Sequence, residues 1–277
     1  MYSGQSSGLL LARSLRQETK ISMAQKQERR KIILKSKAKL YTAEDHPLII
    51  NLHAKAGVTN FPDQNWGYME IDKIFLNNKK WIKSKLEPDK NYFDKLAIGQ
   101  TPDILYIGCS DSRVTAEEMM GAQPGEIFVH RNIANMVPNN DLNVTSVINY
   151  AVQHLKVNNI VVCGHYYCGG VKAAMASSDL GLLNLWLDDI KDVYRVHKKE
   201  LNAITSEEER YKRLVELNVQ EQCINILKIA EVQNAYRRRG LRVHGWVFDI
   251  KTGSLIDLKI DFESIVMGFR NIFEFKD

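Results

Sequence analysis

Long apolar runs are absent from this chain of 277 residues. No stretch of about 18 apolar residues occurs, so no membrane-spanning helix is expected. Cysteine is sparse, with four in all: Cys109, Cys163, Cys168 and Cys223. So few in so long a chain do not make a disulfide scaffold, and a reducing, intracellular and cytoplasmic setting is the expectation. Internal repeats and low-complexity tracts are missing as well. Acidic residues are scarce at one end only. Residues 1–43 hold ten Lys/Arg and two acids, a net of +8, within a chain whose formal net charge is +5. The rest of the chain therefore carries −3, and the basic character belongs to the arm. That distribution argues against nucleic-acid binding by the whole protein.

What is present is ordinary for a globular chain: 44% apolar and 26% charged residues, enough for one large domain or two small ones. Residues 1–22 contain Ser and Arg and the apolar LLLARSL. They read either as a disordered arm or as a transit segment, which would direct the chain to the mitochondrial matrix. Met23 is an alternative start, and residues 44–67 read as an irregular arm. From Tyr68 the spacing of Ile71, Ile74, Phe75 and Trp81 predicts an amphipathic helix, followed by a short one over Asn91–Ile98. Strands and helices then alternate. Ile104–Ile107, Glu126–His130 and Asn159–Cys163 read as strands, with a helical turn at Thr115–Met120. Asn143–Leu155 reads as a helix with Asn143 or Asp141 as N-cap. Long helices are expected near 181–198 and 206–234, then a hairpin-like pair, Arg242–Ile250 and Leu255–Ile260. The fold class is α/β, a mainly parallel sheet flanked by helices.

The first strand runs into CSDSR, residues 109–113. Cys109 there is a nucleophile, half of a disulfide, or a metal ligand. Open parallel sheets place ligands outside the carboxyl ends of their strands. A later strand ends in GHYYCGG, carrying His165 and Cys168. If the two strands are neighbours, Cys109, His165 and Cys168 converge. Two thiolates and an imidazole suit zinc, and three protein ligands leave a fourth position open for catalysis. Asp111 could then accept a hydrogen bond from metal-bound water, with Arg113 holding the carboxylate through a bidentate pair. Alternatively Asp111 is itself the fourth ligand, in an inactive or purely structural site. Gly164 is expected to permit a sharp exit from its strand, and Gly169 and Gly170 a close approach of backbone to metal and substrate. A helix start beyond Cys168 would favour its thiolate. Cys163 and Cys223 read as core. His130, His154, His197 and His244 read as packing or surface residues.

CSDSR, QPGEIFVHRNIAN (123–135) and GHYYCGGV (164–171), in this order and spacing, resemble the β-class carbonic anhydrases. The similarity extends through NYAV (149–152), LNLWL (183–187), ELNVQEQ (216–222) and HGWVFDI (244–250). The resemblance implies a catalytic domain over 68–277 and an arm over 1–67. It also implies reversible hydration of CO₂ to bicarbonate and a proton, by zinc-hydroxide attack. Cys109, His165 and Cys168 would hold one Zn²⁺ per subunit, and Asp111 with Arg113 would form the catalytic dyad. Gln100 would contact bicarbonate, while Phe128, Ile133, Tyr150 and Gly169 line a small apolar pocket. That pocket would form in a homodimer or a tetramer built as a dimer of dimers, the first helix packing across onto the other subunit. Some family members bind inhibitory bicarbonate at a second site built from Trp, Arg and Tyr. The matching positions here are Tyr106, Arg131 and Phe248, beside Gly108, and two changed aromatics imply weak inhibition. The rival readings are a zinc enzyme for another small linear substrate such as CS₂, a silent zinc-stabilised assembly protein, and a thiol redox protein using Cys109 and Cys168.

Overall fold

A computed structural model of the chain describes residues 71–269. The basic arm, the stretch 44–67 and Met23 lie outside the described residues. The described residues divide into two units between Asn77 and Asn78. Helix α1 (Ile71–Leu86) has no buried residue, and Ile71, Ile74, Phe75 and Leu76 are exposed. Trp81 meets Phe93 of α2 (Tyr92–Ile98) edge to face, ring centroids 5.3 Å apart.

The sheet is built from β1 (Ile104–Cys109), β2 (Ile127–Asn132), β3 (Asn159–His165), β4 (Arg242–Asp249) and β5 (Ser254–Asp257), in the order β2-β1-β3-β4-β5. The first four are mutually parallel and β5 is antiparallel. Continuously apolar β1 and β3 take interior places, as strands buried on both faces should. Side chains alternate between the faces. Leu105, Ile107 and Cys109 join Ile160, Val162, Val243 and Val247 in the larger core. Tyr106, Val161 and Cys163 form a smaller cluster on the other face, against Met119 and Met120 of α3 (Ala116–Met120).

The strands run further than the residue pattern predicted: β1 continues through Cys109 and β3 through His165. Helix α4 (Leu142–Asn149) begins where the Asp141 carboxylate accepts from the Asn143 N–H at 2.9 Å. Its continuation, Tyr150–Leu155, opens into a π-helix, which apolar spacing alone did not distinguish. Beyond α5 (Gly169–Met175), the helix expected over 181–198 is α6 (Leu183–Val196), broken at His197 from α7 (Lys198–Ala203). The one expected over 206–234 is α8 (Glu207–Leu227) and α9 (Ala230–Arg239), parted by extended backbone at Ile229. Neither break carries a glycine or proline to announce it. A final helix, α10 (Phe262–Phe269), was not anticipated.

Gly164 is not a strand exit. It lies within β3, where a Cβ would sit 2.6 Å from Val219 Cγ2 of α8. The missing side chain lets α8 press on the sheet beside the carboxyl end of β3. Gly164→Ala should therefore overpack this contact and cost about 1–3 kcal/mol. Thermal unfolding should show the midpoint falling by several degrees; an unchanged midpoint would remove this account of the glycine.

Candidate metal centre

Parallel pairing of β1 and β3 brings Cys109 and His165 to the same end of the sheet. A two-residue turn then returns Cys168 toward them, with Tyr167 in the left-handed region at φ 65°. The Cys109 and Cys168 sulfurs are 3.9 Å apart, both as free thiols. One ligand atom from each of Cys109, His165 and Cys168 lies within 4.8 Å of the others, and all three residues are buried. His165 donates from Nδ1 to the Tyr166 carbonyl at 3.0 Å, which leaves its lone pair on Nε2. That Nε2 is buried and has no hydrogen-bond partner among the described residues. An orphaned buried nitrogen is costly without a compensating bond. Facing two sulfurs, it fits a soft, nitrogen- and sulfur-loving divalent metal such as zinc.

The two thiols have different surroundings. The contact with the Cys168 sulfur, together with the Ala134 N–H donating at 3.4 Å, lowers the Cys109 pKa against the cost of burial. The same contact pushes Cys168 up, and the Gly170 and Val171 amides at the start of α5 only partly oppose it. The helix start thus favours the Cys168 thiolate, as expected, while the neighbouring sulfur opposes it. A metal bound there would displace the remaining proton. The Ala134 N–H is aimed by consecutive left-handed residues, Ala134 at φ 62° and Asn135 at φ 51°. The Asn218 amide of α8 holds that turn through the Ala134 carbonyl at 3.0 Å.

Asp111 and Arg113 do form a bidentate pair, Nε to Oδ1 at 2.9 Å and Nη2 to Oδ2 at 2.7 Å. The Arg113 amide adds a third bond to Oδ1 at 3.0 Å. Asp111 Oδ2 is 3.8 Å from His165 Nε2, so the carboxylate overlooks the metal position while held by arginine. Arg113 also donates to the Tyr167 carbonyl at 3.1 Å, and Tyr211 of α8 to the Cys168 carbonyl at 3.1 Å. Three successive carbonyls, 166 to 168, are thereby tied to His165, Arg113 and Tyr211.

Among the expected pocket residues, Phe128 and Tyr150 meet with ring centroids 5.8 Å apart, and both line an open depression with Leu142, Asn143, Ser146 and Val147. Ile133 is partly exposed, and its carbonyl accepts from the Trp186 indole at 2.9 Å. Gly170 is required by Ile133, whose Cγ2 would lie 2.8 Å from an added Cβ; Gly169 has nothing within 4 Å. The close neighbour of Gly170 is thus a side chain. Gln100 is exposed on the loop between α2 and β1. Cys163 and Cys223 are wholly buried, as read. His130 is buried beside the Asn132 amide, His154 stacks on Tyr150, His197 meets Glu221 and His244 meets Asn159. Sequence reasoning missed Tyr211 and the Ala134 amide, which act through backbone atoms that no residue pattern marks.

The hydrogen bonds from Arg113 are the first cause that holds the Asp111 carboxyl at about 2, below its ordinary 3.8. The pair therefore stabilises the fold above about pH 4, and the contribution is lost as pH falls through 2. In carbon-detected NMR titration of metal-free protein, Asp111 should titrate near 2 and move up toward 3.8 in Arg113→Ala. An unmoved midpoint would deny the pairing its role.

A family profile described as carbonic anhydrase matches residues 104–255. A carbonic anhydrase of Emericella nidulans is 59% identical over 203 residues, covering 73% of this chain and 89% of that protein. One of Candida albicans is 35% identical over 79% of this chain and 78% of its own. Among solved structures, a tetrameric β-carbonic anhydrase of Sordaria macrospora superposes with a TM-score of 0.66 at 44% identity, over 68% of this chain and 96% of that one. A Coccomyxa β-carbonic anhydrase in complex with acetazolamide gives 0.67 at 34%, over 74% and 100%. With its buried Cys-His-Cys cluster at the carboxyl end of a parallel sheet, the chain belongs to the β-carbonic anhydrases, enzymes that interconvert carbon dioxide and bicarbonate.

Proposed function

We propose that Cys109, His165 and Cys168 hold one zinc ion per subunit, and that Asp111 and Arg113 are the catalytic pair of carbon dioxide hydration. The observation that carries this reading is the buried, unpartnered His165 Nε2 facing two sulfurs, with Asp111 Oδ2 at 3.8 Å. Zinc held there supplies Lewis acidity that makes water nucleophilic near neutral pH. Two thiolates and a neutral imidazole cancel its charge, which suits a buried site. The Asp111 carboxylate accepts a hydrogen bond from the reacting water and fixes its orientation. Arg113 keeps that carboxylate ionised and aimed, and its two-point grip supports an accepting role over a fourth metal bond.

The catalytic domain is residues 68–277, and residues 1–67 are an arm. The apolar space is bounded by Phe128, Ile133, Tyr150 and Gly169, and the Gln100 amide holds bicarbonate. A second copy of the chain completes this space in a homodimer or a tetramer. Leu142, 78% exposed beside the Phe128–Tyr150 depression, and the exposed Ile71, Ile74 and Phe75 of α1 support such a partner. No helix among the described residues is long and apolar enough to cross a membrane. A cytoplasmic location suits the four free thiols, with the mitochondrial matrix the alternative if the arm is a transit segment.

Asp111→Ala should lower kcat about 10²–10⁴-fold while zinc stays stoichiometric. Stopped-flow hydration on metal-analysed protein tests this. Zinc-replete wild-type protein without activity at mildly alkaline pH would favour the silent assembly reading instead. Bicarbonate inhibition should be shallow. The Tyr106 ring fills the space beside Gly108, and the Arg131 guanidinium is already occupied by main-chain carbonyls. Steep sigmoidal inhibition by bicarbonate near neutral pH would contradict this.

A further inference from the structure

Residues 110–115, between β1 and α3, form no helix or strand, yet they carry Asp111 and Arg113. Few bonds hold this turn. Ser110 N–H donates to the Asn132 carbonyl at 2.8 Å, and Val114 N–H to the Asp111 carbonyl at 3.1 Å. Arg113 adds its amide to Asp111 Oδ1 and its Nη2 to the Tyr167 carbonyl, and three further bonds come from Arg131 on β2. Its Nε donates to the Cys109 carbonyl at 2.8 Å, and its Nη2 to the carbonyls of Asp111 and Val114, each at 2.6 Å. One guanidinium thus gathers carbonyls from both ends and the middle of the turn.

It does so from behind. Ile127 and Val129 of β2 face the smaller cluster, and strand alternation places Arg131 on that same face. Cys109 faces the larger core instead, toward His165 and Cys168. Arg131 pairs in register with Gly108. It makes no ion pair with a carboxylate among the described residues, so its hydrogen bonding is committed to main chain. Charged donors give shorter and stronger bonds than neutral ones, and a planar fork fixes direction as well as distance.

We propose that Arg131 is a positioning residue for hydration: it fixes the Cys109–Val114 turn from behind and so sets the aim of Asp111 and Arg113. The inference rests on the reading of Asp111 and Arg113 as the catalytic pair. Lysine keeps the charge but loses the fork, so Arg131→Lys is the informative variant beside Arg131→Ala. Both are compared with wild type and with Asp111→Asn, as zinc-loaded enzymes checked for metal content and cooperative melting. Arg131→Lys should lower kcat about tenfold and leave KM within about twofold, because it disturbs aim and not the apolar pocket. Amide hydrogen exchange should speed up about tenfold at residues 110–114 and stay unchanged in β1 and β3. In the Asp111→Asn background the same change should alter kcat less than about twofold, since the group being aimed is already gone. Wild-type kcat and turn protection in Arg131→Lys would overturn the proposal, and so would a full repeat of the loss in the Asp111→Asn background. If Arg131→Ala does not fold, Arg131→Lys decides alone. An Asp111→Asn enzyme as active as wild type would defeat the catalytic-pair reading instead.

Discussion

Everything in the candidate centre follows from β1 and β3 lying side by side and running the same way. Parallel pairing delivers both carboxyl ends to one edge, where backbone leaves the sheet and side chains are free to converge. Fifty-five residues separate Cys109 from His165 in the chain, and the ladder removes that separation. The helices pack to protect this pairing. α8 lies so close on β3 that position 164 has no room for a methyl group against Val219.

Around that edge, charge is organised by backbone as much as by side chains. The Cys109 sulfur takes an N–H from Ala134, and His165 gives its Nδ1 proton to a neighbouring carbonyl. The effect is a fixed tautomer and a favoured thiolate before any cation arrives. Asp111 is kept anionic by a guanidinium and an amide, so a carboxylate within reach of the metal position is held at a distance from it.

The sequence made the chemistry more legible than the architecture around it. CSDSR and GHYYCGG each sit where an apolar run stops, and strand ends are where parallel sheets do their work. The convergence of Cys109, His165 and Cys168 was therefore readable. The breaks at His197 and Ile229 were not, since both lie in stretches whose residues all tolerate helix. The π-helix at Tyr150 was hidden because its apolar positions serve an α-helix equally well. Arg131 and Tyr211 were invisible as supports because their partners are carbonyls, which every residue possesses. The amides at the start of α5 favour the Cys168 thiolate as expected, but the second sulfur 3.9 Å away, which opposes it, could not be read from the sequence.

Tyr167 keeps a left-handed backbone without being glycine, which costs a side-chain-bearing residue about 1–3 kcal/mol. It is held by neighbours, since the carbonyls of 166, 167 and 168 are each bound by a group from a different part of the centre. Opening this short segment relaxes the strained residue, whereas opening the strands beneath it relaxes nothing. The strain therefore sits in the short link that returns Cys168 to the cluster, and the bonds from His165, Arg113 and Tyr211 hold it there.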